Sequence, residues 1–132
     1  TNYSNHSMSL SGKSLQASMQ RGGVTLESFA MTNYSMTGST NGATVSSAAS
    51  FTMAGSSSAL GQYSYTVKNL QPFVSNGSAM PHAGSMLVTG NASSVTLSVA
   101  SNSTVRVELS AKGDGAITQT NNLSWTELLA AI

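Results

Sequence analysis

Residues 94 to 110 restrict the possible folds of this chain more than any other stretch. Val95, Leu97 and Val99 alternate with Thr96 and Ser98, and Val105, Val107 and Leu109 alternate with Arg106 and Glu108. Successive side chains of a β-strand point to opposite faces, so each run presents one apolar and one polar face. Ser101-Asn102-Ser103-Thr104 between them is turn material of hairpin length. The pattern predicts an antiparallel hairpin, within the longer stretch from Gly84 to Gly115 that Met86 and Val88 lead into. Its apolar face requires a covering layer.

The same period recurs upstream. Met8 and Leu10 share one parity, while Leu15, Ala17 and Met19 take the other. The switch at Gly12-Lys13-Ser14 predicts a bulge or break that resets the pleat. Gln20 to Gly23 reads as a turn. A second segment opens at Val24 and Leu26, shifts parity at Glu27-Ser28 before Phe29 and Met31, and returns to the first parity at Tyr34 and Met36. This is a twice-bulged strand or two strands with a bend. Thr37 to Gly42 reads as turn, with Asn41-Gly42 a hairpin-type pair. Val45, Ala49, Phe51 and Met53 form a third run, facing the small positions Thr44, Ser46, Ala48, Ser50 and Thr52. Gly55 to Ser58 reads as a flexible turn, Tyr63 to Lys68 as a strand, and Gln71 to Ala83, with both prolines, as the longest loop. Ala116 to Thr120 fits a short strand. Ser124-Trp125-Thr126-Glu127 has the form of a capping box ahead of Leu128 to Ile132. It predicts a terminal helix docking Trp125 and Leu128, with a final edge strand as the alternative. The expected fold is all-β: one domain, residues 1–132, an antiparallel meander forming a sandwich or barrel, with a short C-terminal helix.

Composition bears on function by exclusion. Nine of 132 residues are charged, with a net charge of +1. Five scattered basic residues argue against a nucleic-acid partner, which is held mainly by phosphate neutralisation. Serine, threonine, asparagine and glycine together supply 62 residues. A surface of hydroxyls and amides suits an extracellular or cell-envelope setting. The chain lacks cysteine, so thiolate sites and disulfides are excluded. No apolar run is long enough to span a membrane. A first residue of Thr rather than Met reads as a mature or trimmed product.

Candidate chemistry is sparse. His6 and Met8, with Met80, His82 and Met86, offer imidazole and thioether donors, a combination that suits copper, above all Cu(I). The competing reading makes the methionines soft core fillers. Asp114 in Lys112-Gly113-Asp114-Gly115 resembles a fragment of a calcium loop, but a single acid reads as a plain turn. Neither a nucleophile elbow nor a carboxylate pair occurs, so no enzyme activity and no cofactor is expected. Asn-x-Ser/Thr sequons begin at Asn2, Asn5, Asn33, Asn76, Asn91, Asn102 and Asn122, which would carry glycans in a host that modifies such sites.

Pro81 to Trp125 resembles the C-terminal part of uncharacterised β-rich bacterial envelope lipoproteins. The resemblance lies in Pro81-His82-Ala83-Gly84-Ser85-Met86, in the Val88-Thr89-Gly90 turn, in the valine-alternating hairpin and in Trp125 near the end. It departs at Ala111 to Gly115, where the first acid of that family's acidic turn is missing. It implies an envelope location and a β fold, and no activity.

The expected function is therefore that of a non-catalytic extracellular or cell-envelope β-sheet protein acting through protein contacts, as a structural subunit of a filament or surface layer. Self-association would run through edge strands at either weakly charged end. The internal alternative pairs both ends within their own domain. A carrier of an apolar small ligand, or a copper-binding protein, are the other functional readings.

Overall fold

A computed structural model of the chain describes residues 5–58, 61–77, 79–101 and 103–130. Eight strands follow one another in a single antiparallel sheet of order β1 to β8. They are β1 (His6–Arg21), β2 (Val24–Asn41), β3 (Thr44–Ser57), β4 (Gly61–Asn76), β5 (Ala83–Thr89), β6 (Ser94–Ser101), β7 (Thr104–Ser110) and β8 (Gln119–Ser124), followed by helix α1 (Trp125–Ala130). The all-β meander and the C-terminal helix match the sequence. Closure into a barrel or a sandwich does not occur: each strand contacts only its sequence neighbours, and α1 contacts only β7 and β8. All eight strands lie in one sheet, so the described residues supply no second sheet.

The hairpin at residues 94–110 has the expected register, with Val95 opposite Leu109, Leu97 opposite Val107 and Val99 opposite Val105. Only Val105 of these six is fully buried, at 0 % exposure; the other five are half-buried. Arg106 and Glu108 share the other face, 3.8 Å apart.

The parity switches upstream resolve into irregularities within long strands. Gly12 pairs with Tyr34 and Ser14 with Thr32 in one register, while Lys13 and Asn33 between them are unpaired. Asn33 has a φ of 48°, and the β2–β3 register shifts between Thr32 and Ser35. A second shift lies between Met19 and Gln20, close to the expected break at Glu27. Leu10 pairs with Met36 and Met36 with Ala49; Leu15 pairs with Met31 and Met31 with Met53. Ala49 and Met53 alternate evenly on β3. Residues of opposite parity on β1 are thereby returned to one face.

Three segments expected to be turn or loop are strand. β2 continues to Asn41, β3 to Ser57, and β4 through Pro72 to Asn76. The register breaks around Pro72, between Asn69 and Gln71 and again before Val74, as a residue without an N–H requires. Asn69 bridges the break, its backbone N–H donating to Ser50 Oγ at 3.1 Å and its side-chain amide to the Ser85 carbonyl at 3.1 Å. The last strand begins at Gln119 rather than Ala116. At Gly22-Gly23 both φ values are positive, 60° and 81°, which lets β1 and β2 join through a two-residue turn.

The capping box forms as expected. Glu127 N–H donates to Ser124 Oγ at 3.1 Å, and Ser124 N–H donates to Glu127 Oε2 at 2.8 Å. The Ser124 backbone N–H, and after it the Ser124 hydroxyl, hold the Glu127 carboxyl below its ordinary value. Asp114 braces its turn, accepting from Ser110 Oγ at 3.3 Å and Ala116 N–H at 3.0 Å, in keeping with a plain turn.

Candidate contact surfaces

Register across the sheet sorts side chains onto two faces, because residues directly opposite each other on adjacent strands share a face. One face is apolar. In β1 to β4 it carries the rows Leu15–Met31–Met53–Tyr65, Ala17–Phe29–Gly55–Tyr63 and Leu10–Met36–Ala49. In β4 to β7 it continues as Val67–Val88–Val95–Leu109 and Met86–Leu97–Val107. Rings lie low over glycines on this face: a β-carbon on Gly12 would collide with the Tyr34 phenol, and one on Gly55 with that of Tyr63. Tyr63 and Tyr65 stack with centroids 6.4 Å apart.

The other face is a field of hydroxyls. Ser14, Thr32, Thr52, Thr66, Thr89, Ser94 and Ser110 form one row from β1 to β7. Thr52 and Thr66 share a hydrogen bond of 3.3 Å, and Ser28 and Ser56 one of 3.2 Å. An open trough of about 840 Å³ lies across β1 to β4, lined by residues of both kinds of row, Gln16, Ser18, Ser56 and Gln62 together with Phe29 and Tyr63. Polar and apolar groups line it in equal measure, Ala17, Phe29 and Tyr63 among the latter.

The sheet ends on β1 and β8, which have a strand neighbour on one side only. β1 is sixteen residues long, and Lys13 and Arg21 are its fully charged side chains. It pairs with β2 of its own chain from His6 onward, so the internal alternative holds for that segment, and contact with a neighbour falls to the outer edge of β1. At the other terminus, Trp125–Ala130 is helix rather than edge strand.

The candidate copper ligands fall into two groups. His6 and Met8 lie on β1. Met80 and His82 lie between β4 and β5, where His82 N–H donates to the Val74 carbonyl at 2.9 Å, and Met86 lies on β5. Strands β2, β3 and β4 separate the groups in the sheet. Among the described residues, no three His, Asp or Glu side chains are grouped as metal ligands would be. Of the sequons, Asn5, Asn33, Asn76, Asn91 and Asn122 are exposed, while Asn2 and Asn102 lie outside the described residues. No described helix is long and apolar enough to cross a membrane.

Sequence reasoning found the alternating runs but missed the surface they build, because rows across strands exist only once register is known. Comparison with protein-family models, with curated proteins and with solved structures returned no match.

Proposed function

We propose that this chain is a non-catalytic structural subunit of an extracellular or cell-envelope assembly, working through protein contacts at its sheet edges. The observation that supports this is β1, a sixteen-residue outer strand with charged side chains only at Lys13 and Arg21. Charged side chains are the usual means of blunting an edge. The strand number is favourable as well: with eight antiparallel strands in sequence order, β8 runs opposite to β1. The β1 of a following copy laid beside β8 therefore continues the alternation without reversing the subunit. Such head-to-tail contact does not close and builds a filament. The ladder at that junction is limited to the six residues of β8. The envelope setting rests on the low charge, the hydroxyl-rich surface and the lipoprotein resemblance of residues 81–125.

Light scattering and electron microscopy at rising concentration test this reading. Wild type should form extended polymers, and Ser9→Lys combined with Ser18→Lys on β1 should stop growth while leaving the fold intact. A wild-type chain that never grows beyond a small closed oligomer overturns it.

A further inference from the structure

We infer that the apolar face of β1 to β4 is the seat of a second copy of this chain, packed face to face as the missing layer of a two-sheet sandwich. This contact is distinct from edge growth and stands without it. A sheet with one apolar face must bury that face against another layer, and within the described chain nothing covers these four strands except their in-plane neighbours. The consequence is visible in exposure: Leu10 is 57 % exposed, Leu15 52 %, Met19 58 % and Phe29 41 %.

Three features point to a copy of the same chain as the occupant. The first is area. Strands of 14 to 18 residues at about 3.3 Å per residue, four abreast at about 4.8 Å, give a face of roughly 900 Å² or more. A stable interface needs about 800 Å² per partner. The second is charge. Among the residues whose register places them on this face, Glu27 and Arg21 are the charged ones, both at the Met19 corner, and His6 sits at the opposite end. A second copy therefore buries little charge, and a charged partner finds almost nothing to pair with. The third is access. α1 packs only on β7 and β8, so a second sheet can approach β1 to β4 unobstructed. Tyr34 over Gly12 and Tyr63 over Gly55 keep the relief low, as sheets packing about 10 Å apart require. The contact is isologous, the same patch serving both partners.

The absence of cysteine makes the test clean. Single cysteines are introduced at Met31 and Met53 on the apolar face and at Thr32 and Thr52 on the hydroxyl face, in the full chain carrying Ser9→Lys and Ser18→Lys to suppress edge growth. A short bismaleimide should link the first pair into covalent dimers and leave the second pair unlinked. In sedimentation equilibrium the parent should be a dimer, and Met31→Lys should raise its dissociation constant at least 30-fold, which corresponds to about 2 kcal/mol. Trp125 fluorescence reports whether each variant is folded, and the cross-links decide the matter if Met31→Lys unfolds. A parent monomeric at high micromolar concentration, or cross-linking as efficient from Thr52 as from Met53, overturns the inference. Loss of edge polymers with the dimer retained is the result expected of this parent, and it separates the face contact from edge growth.

Discussion

The two halves of the sheet share one alternating pattern and differ in what lies over it. Strands β1 to β4 run 14 to 18 residues, and Met8 on the outermost is 77 % exposed. Strands β5 to β8 run 6 to 8 residues and carry α1, and Val105 beneath that end is fully buried. Val67, at the boundary between the halves, is 7 % exposed. In-plane neighbours and the larger side chains beside them cover the residues near the middle of the sheet, Val67 included, and leave those toward the β1 edge half open. At one end a helix of six residues packs against β7 and β8. At the other the same apolar pattern becomes a contact surface.

That contrast can be broken by substitution. Val105→Asp places a charge where no water reaches and should destabilise the fold by about 3 kcal/mol or more, measured by urea denaturation of Trp125 fluorescence. The matching Leu15→Asp, in dilute monomer, should move stability by no more than about 0.5 kcal/mol. Equal losses would mean that the halves are equally covered. Gly84→Ala sharpens the boundary between them: Gly84 has a φ of 134°, and an added β-carbon would lie 2.7 Å from the Phe73 Cα. A loss of about 1–3 kcal/mol is expected in the same assay. Gly12→Ala in the long half meets only the tip of the movable Tyr34 side chain and should cost less.

Ser124→Ala removes the hydroxyl that accepts from Glu127 N–H and should cost about 1 kcal/mol, confined to the short half. The smallest effect concerns pH. Glu127 is lowered in the folded chain by its bonds to Ser124. Its contribution is therefore complete above the ordinary carboxylate range and is lost as pH falls through the folded value. Acid should fray α1, seen as a shift in Trp125 emission, and Glu127→Gln should flatten that response. A wild-type profile identical to that of Glu127→Gln would show that the cap does not govern the helix.

Much of the fold was legible locally. The hairpin of β6 and β7 follows from six alternating residues, the β1–β2 turn from Gly22-Gly23, and α1 from the capping box at Ser124 and Glu127. Strand lengths were not legible. Thr37 to Asn41 and Ser56-Ser57 look like turn because their hydroxyl side chains occupy both parities, yet threonine is a good strand residue when a neighbour extends the ladder. Of the candidate ligands, the sequence shows the residue types near one another in the chain, but not that three strands lie between His6 and His82.

What the amino-acid sequence determined by itself is period and punctuation: each strand's two faces, the positions where parity fails, and the helix start. These depend on side-chain direction and backbone preference within a few residues. Only the tertiary structure decided that Asn33 takes a left-handed φ, so that Leu10 and Leu15 rejoin one face. It also decided that the meander stays open. Register is a relation between strands, and closure depends on how twist and coverage accumulate over eight of them. Neither quantity is carried by any one segment of the chain.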